Sequence, residues 1–214
     1  MDTFIITCEH GGNRIPAPYR QLFLGHGTLL DSHRGYDPGS LLMARAFASA
    51  YEAPLVASTT SRLLIDLNRS IGHPQLFSAA TRGTSATTRA HIVEHHYRPY
   101  RVQVEGLVER AVSRGDRVIH LSSHSFTAAL DGRVRTADVG LLYDPVRRGE
   151  VEMCAGWKES LAASAPELRV RRNYPYAGRG DGLTSHLRRR FAQGDYVGIE
   201  LEINQGIVFD AGRR

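Results

Sequence analysis

Along the whole chain, short apolar runs rich in β-branched residues alternate with segments whose apolar residues recur at helical spacing, and few architectures accommodate that alternation. The first run, 4–8, breaks into Glu9-His10-Gly11-Gly12. The spacing predicts a helix over 38–52, with Pro38 in its first turn and Pro54 beyond its end. Further strands are predicted over 55–58, 63–67, 117–121, 139–143 and 169–172, and further helices over 90–113, 150–163 and 184–193. In 196–203, Val197, Ile199, Leu201 and Ile203 fall on one face and Glu200 and Glu202 on the other. The stretch 78–88, poor in apolar residues, reads as an exposed loop. Strands interleaved with helices imply an α/β fold: a three-layer α/β/α sandwich around a mostly parallel or mixed sheet. With 214 residues and neither a repeat nor a linker, one domain over 1–214 is expected.

Composition narrows the function classes. At 42% hydrophobic and 23% charged, the chain has globular rather than disordered character. Its longest apolar runs, such as 140–143, fall far short of the roughly 20 residues that cross a bilayer, so no membrane partner is expected. The first residues lack the positive stretch of a signal peptide, which makes the cytoplasm the expected compartment. Cys8 and Cys154 have no C-x-x-C spacing, so metal chemistry must draw on histidine and carboxylate. An excess of 27 Lys+Arg over 22 Asp+Glu gives a net charge of +5. The arginines gather late, at Arg169, Arg171, Arg172, Arg179, Arg188, Arg189, Arg190, Arg213 and Arg214. Charge alone leaves only a sequence-independent phosphate footprint, and no nucleic-acid-binding motif accompanies it. Nucleic acid is therefore not expected as a partner, and the late cluster reads as solvated surface.

Ligands of open α/β sheets bind beyond the carboxyl ends of the strands. His10, Asn68-Arg69, His124 and the pair Glu200/Glu202 all follow or close predicted strands. The pattern His-Ile-Val-Glu-His at 91–95 matches H-x-x-E-H metalloproteases, but Pro99 follows closely and disrupts the helix, so it reads as a polar helix face. Gly178-Arg179-Gly180-Asp181-Gly182 has the glycines of a phosphate-cradling loop without its lysine. A distributed set fits metal chemistry better. His10 sits in a glycine-rich turn that lets a metal or substrate approach the backbone, Asp37 at the mouth of a helix and His124 after a strand. Together they meet the three-ligand count of a catalytic zinc, which keeps a fourth position open. In 61–69, Arg62, Asn68 and Arg69 suit a bound carboxylate, because a guanidinium fork matches one bidentately. The plainer reading of that string is an Asp66–Arg69 pair at a strand end.

Glu9-His10-Gly11-Gly12-Asn13, His33-x-Gly35-Tyr36-Asp37, Arg62 with Asp66-Leu67-Asn68-Arg69, His124-Ser125, Gly182-Leu183-Thr184-Ser185-His186 and Glu202-Ile203-Asn204-Gln205 stand in this order along the chain. In this set the chain resembles the N-formylglutamate amidohydrolase family. The Asp-Leu-Asn-Arg string is shared with aspartoacylase-like and zinc carboxypeptidase-like enzymes. The resemblance implies a phosphorylase/hydrolase-like sandwich and metal-dependent hydrolysis of a small anionic N-acyl amino acid such as N-formylglutamate. It implies Zn2+, or another divalent ion such as Co2+, on His10, Asp37 and His124. Asn13 stands where aspartoacylase-like enzymes carry a glutamate ligand, and Asp37 takes that place. Glu202, by its Glu-Ile-Asn context, or Glu200, by Gly-Ile-Glu, would be the general base, and Arg62 would stabilise the oxyanion. Asn68 and Arg69 would hold the substrate carboxylate, and His186 would bind substrate or assist proton transfer. A zinc carboxypeptidase or peptidoglycan-type amidase acting on a peptide is the alternative enzyme, and a basic binding protein without catalysis the alternative class.

Overall fold

Ile5, Ile6, Thr7 and Cys8 are buried on both sides of their strand, as expected where helices cover both faces of a sheet. The computed structural model describes residues 1–210. Its strands are β1 (Asp2–Cys8), β2 (Leu55–Ala57), β3 (Arg117–Phe126), β4 (Ala129–Leu130), β5 (Arg133–Val134), β6 (Val139–Leu142), β7 (Val170–Arg172) and β8 (Tyr196–Asn204). Its helices are α1 (Gly27–Leu30), α2 (Ser40–Ala50), α3 (Ala79–Arg82), α4 (Ala86–Ile92), α5 (Arg98–Ser113), α6 (Arg148–Ser164), α7 (Leu183–Arg190) and α8 (Gln205–Val208). Six strands form one sheet in the order β2-β1-β3-β8-β6-β7, while β4 and β5 make a separate hairpin. The pairs β2/β1, β1/β3 and β3/β8 are parallel, β6 runs antiparallel to β8, and β7 is parallel to β6. The mixed sheet expected from the sequence is present.

Alternation along the strands divides the core. Ile5, Val118 and Tyr196 face α5 and α7, packing with Val104, Val108, Leu183 and Leu187. Ile6, Ile119, Leu121, Ile199 and Leu201 face the other way, toward Ala44 of α2 and Cys154 of α6. Each such side chain, fully buried, contributes about 1.5–3 kcal/mol. None of the described helices is long and apolar enough to cross a membrane.

Three local expectations are corrected. Segment 63–67 is not a strand: Leu63, Leu64, Ile65 and Leu67 are buried, but the backbone turns twice, with Leu64 N–H donating to Ser61 O and Arg69 N–H to Asp66 O. A short apolar run has the same composition whether it fills a core as strand or as turn. Segment 78–88 is not a loop but two short helices, each started by a serine whose hydroxyl accepts a backbone N–H, Ser78 from Ala80 and Ser85 from Thr88. Pro99 does not break the following helix. A widened π-type turn at Val93–Tyr97 joins α4 to α5, and the proline lies in the first turn of α5, where no N–H is required.

The late arginines divide as well. Arg188 is buried rather than solvated, with Nε 2.9 Å from Glu150 Oε1 and a guanidinium N–H donating to Gly198 O at 2.6 Å. Arg213 and Arg214 lie outside the described residues.

Candidate metal centre and active-site cavity

The site grows from the carboxyl ends of the central parallel strands. His10 follows β1 by two residues. Gly11 and Gly12 do not open the backbone to a ligand; they let it lie against the 58–59 segment, where a Cβ on either would approach Ser58 O or Thr59 O to 2.9 or 2.7 Å. His124 lies within β3, which extends beyond its predicted end to Phe126. Asp37 precedes α2, its N–H donating to His10 O at 2.9 Å and its carbonyl accepting from the Ser40 hydroxyl at 2.7 Å.

The three side chains converge. Asp37 Oδ2 lies 3.3 Å from His10 Nδ1 and 2.9 Å from His124 Nδ1. The far nitrogen of each ring is engaged elsewhere. His10 Nε2–H donates to Asp66 Oδ1 at 2.7 Å. Ser122 gives its one hydroxyl proton to Glu9 Oε2 at 2.7 Å, so its oxygen accepts from His124 Nε2–H at 2.9 Å, with Glu9 Oε2 itself 3.1 Å from that nitrogen. Both rings therefore direct Nδ1 at Asp37, with both tautomers fixed from behind. Burial disfavours charge on both rings. The Asp37 and Glu9 hydrogen bonds nevertheless hold His124 well above its ordinary value, and Asp66 and Asp37 outweigh burial and Arg62 to raise His10. Against burial, the two histidines and Arg62 keep Asp37 well below the usual carboxylate range.

Among the described residues, His10, Asp37 and His124 are the group of three or more side chains able to hold a metal ion, their ligand atoms lying within 4.8 Å of one another. The donor set fits a divalent transition-metal ion: two imidazole nitrogens and a carboxylate oxygen, each imidazole backed by a carboxylate. The 91–95 pattern forms no such group. His91 Nδ1 meets the Tyr19 hydroxyl at 2.6 Å, His95 Nδ1 meets His91 O at 2.9 Å, and the two rings stack 3.9 Å apart. Asn13 points away, its amide donating to Asp31 Oδ1.

His10, Asp37 and His124 open onto a cavity of about 350 Å³ that Arg62, Asn68, Arg69, Glu200 and Glu202 also line. Glu202 pairs in register with His124 across the β3/β8 ladder. Its Oε2 is buried and has no partner among the described residues. Burial, only partly offset by the nearby His124 charge, pushes its carboxyl up to about 7. Glu200, two residues earlier on the same face, accepts from the Thr184 hydroxyl at 2.8 Å. Arg62 clamps two carboxylates, reaching Asp37 Oδ1 at 3.3 Å and Asp66 Oδ2 at 2.8 Å. Arg69 donates to Asp181 O at 2.8 Å and keeps a buried Nε without a partner among the described residues. Asn68 Oδ1 accepts from Leu183 N–H at 2.7 Å. His186 is not on the cavity wall; its Nε2 lies 2.9 Å from Glu105 Oε1.

A family model for N-formylglutamate amidohydrolase matches residues 2–208. The chain belongs to the N-formylglutamate amidohydrolase family. Membership supports an amidohydrolase, a hydrolase acting on an amide. Among solved structures, the gene product Atu2144 from Agrobacterium tumefaciens is similar with a TM-score of 0.83 at 28% identity, over 98% of this chain and 83% of that one. N-formylglutamate amidohydrolase from Ralstonia eutropha JMP134 shares the fold, with a TM-score of 0.69 at 19% identity over 95% of this chain and 82% of that one. No curated protein matches the sequence significantly.

Two residues at the heart of this family member's site escape the sequence reading as functional groups. Glu9 is fully buried, accepting from Ser122, from Tyr100 at 2.9 Å and lying against His124. Asp66 pairs with Arg62 and His10, not with Arg69. Each left a trace: a carboxylate at the end of a strand buried on both faces, and one inside an apolar run, both require a buried partner.

Proposed function

We propose that this protein hydrolyses the amide of a small N-acyl amino acid, with N-formylglutamate as the model substrate, using a divalent ion held by His10, Asp37 and His124. The observation that carries the reading is Glu202, buried, without a partner for Oε2 among the described residues, and on the same ladder rung as His124. When bound, such an ion supplies Lewis acidity, polarising a carbonyl and making water acidic enough to lose a proton near neutral pH. The chain supplies the rest. Glu202 Oε2 accepts the proton of the attacking water and returns it to the leaving nitrogen, a task suited to a carboxyl pushed up to about 7. Arg62 holds Asp37 and Asp66 in place and brings positive charge to the cavity where the carbonyl oxygen becomes negative. The unpartnered Nε of Arg69 and the Asn68 amide receive the substrate carboxylate. A cavity of about 350 Å³, walled by 176–181 and by the 126–130 segment, suits a small acid better than a peptide.

The test is a hydrolysis screen of N-formyl and other N-acyl amino acids with protein supplied with Zn2+ or Co2+, alongside Glu202→Gln. Metal-dependent release of the free amino acid, lost in Glu202→Gln, is the expected result. Hydrolysis of peptides alone would overturn the reading.

A further inference from the structure

On the sheet face that packs against α5 and α7, the alternation that buries Ile5, Val118 and Tyr196 calls for apolar side chains. Thr7, Glu9, His120 and Ser122 occupy it instead, all fully buried. Glu9 and Ser122 support His124. Thr7 and His120 do not touch the candidate metal centre, and polar groups buried this deeply are costly unless hydrogen-bonded. They belong to one row. The Tyr196 hydroxyl lies 2.6 Å from His120 Nδ1, and His120 Nε2 lies 2.8 Å from Thr7 Oγ1. The Thr7 hydroxyl bonds to the Tyr100 oxygen, and the Tyr100 hydroxyl donates to Glu9 Oε1 at 2.9 Å. Gly198 leaves room for the first link, since a Cβ there would stand 2.6 Å from the Tyr196 hydroxyl oxygen.

Counting protons gives the row a direction. Against burial, the His124 and Ser122 bonds hold Glu9 below the usual carboxylate range, so it only accepts. Tyr100 gives its one proton to Glu9, with Val56 O also in reach at 3.2 Å, which leaves its oxygen to accept from Thr7. The Thr7 oxygen in turn accepts from His120 Nε2–H. Burial, against the pull of Glu9, pushes His120 down to about 4, so the ring is neutral and its bare Nδ1 accepts from Tyr196. Every donor points toward Glu9, and hydrogen bonds aligned in this way polarise one another. The row ends at Tyr196, itself fully buried, so it offers no route for a proton to solvent. Its effect falls on Glu9, whose Oε2 stands 3.1 Å from His124 Nε2.

We propose that Tyr196, His120, Thr7 and Tyr100 are positioning residues of the metal centre, a row that fixes the Glu9 carboxylate and, through it, the direction in which His124 presents Nδ1. This rests on the reading of His10, Asp37 and His124 as metal ligands, and extends the centre to four residues that hold no ligand atom.

Zn2+ affinity, read by competition with a chromophoric chelator, tests the row in wild type, Tyr100→Phe, Thr7→Val, Thr7→Ser and Tyr196→Phe. Val118→Ala, on the same face but outside the row, is the control. Affinity should fall about 10-fold in Tyr100→Phe, about 3-fold in Thr7→Val and less in Tyr196→Phe, because each removes a link further from Glu9. Thr7→Ser, which keeps the hydroxyl, and Val118→Ala should match the wild type. Urea unfolding of each protein separates a lost fold from a lost affinity. Wild-type affinity in folded Tyr100→Phe and Thr7→Val, or an equal loss in Val118→Ala, overturns the proposal. The 15N imidazole spectrum of the metal-free wild type needs no variant: His120 must carry its proton on Nε2, and an Nδ1–H tautomer overturns the row. If the wild type binds neither Zn2+ nor Co2+, the metal reading fails, and the 13C resonance of the Glu9 carboxylate judges the row by itself. A resonance that moves in Thr7→Val but not in Val118→Ala upholds its grip on Glu9, and one that stays in place overturns it.

Discussion

Glu9 and His10 are neighbours in the chain, yet the Glu9 carboxylate closes on the other histidine, with Oε2 3.1 Å from Nε2 of His124. One strand end thus delivers a ring of the candidate metal centre and the support for a ring on the adjacent strand. Glu9→Gln keeps the shape but not the negative charge that Ser122, Tyr100 and His124 all address. Divalent-ion affinity should fall by about 10- to 100-fold with the cooperative fold retained. Competition for Zn2+ against a chromophoric chelator measures this, and unchanged affinity would remove Glu9 from the site.

The two late carboxylates should separate cleanly. Glu202→Gln is expected to retain the metal and lose about 100-fold or more in kcat. Glu200 is occupied by the Thr184 hydroxyl, so Glu200→Gln should cost no more than about tenfold. Steady-state kinetics with metal content measured on the same samples distinguishes the two, and the reverse order would move the base to Glu200.

Acid should destabilise the fold through His120. Its ring is buried between Thr7 Oγ1 at 2.8 Å and the Tyr196 hydroxyl at 2.6 Å, and burial, against the pull of Glu9, pushes it down to about 4. An unfolded histidine titrates near about 6.5. Between these values the unfolded chain holds a proton that the folded one lacks, so this contribution is whole above about pH 6.5 and is lost as pH falls toward about 4, by about 3 kcal/mol in all. In urea unfolding at pH 7 and pH 4.5, His120→Gln should lose less stability than the wild type. Equal losses would mean that His120 is protonated in the fold.

Arg188 and Arg189 adjoin in sequence but should answer oppositely to substitution. Arg188 and Glu150 form a buried pair; Arg188→Met leaves Glu150 to Arg147 alone and deprives the buried Gly178 and Gly198 carbonyls of their donor, and should cost about 3 kcal/mol. Arg189 is exposed, and Arg189→Met should stay within about 0.5 kcal/mol. Denaturant midpoints for the two variants decide this.

The contrast also marks where sequence reading works and where it stops. β1, β3 and β8 are legible because apolar residues on a two-residue period need a sheet with covered faces, and Glu200 and Glu202 stand out as the exceptions on one face. The turn at 63–67 is not legible, since burial sets its composition while backbone hydrogen bonds to Ser61 and Leu76, which apolar spacing does not specify, set its path. His10, Asp37 and His124 can be grouped from residue type and their places near element ends. Their supports cannot: Ser122 and Glu9 meet through strand order, and Asp66 and His10 through the path of a buried turn, neither of which local spacing encodes. His186 shows the same gap, a histidine in a suggestive motif that the fold turns toward Glu105.

His124 and Glu202 occupy one rung of an uninterrupted parallel ladder from Val118/Tyr196 to Phe126/Asn204. The offset between the proposed ligand and the proposed base along the sheet is therefore quantised. A slip of one residue would turn Glu202 to the opposite face, and a slip of two would carry it about 6.6 Å along the strand. No intermediate setting exists, so gradual change in reactivity has to come from side chains and from the segments bordering the cavity, while the distance on which the proposed proton transfer depends is inherited whole with the strand pairing.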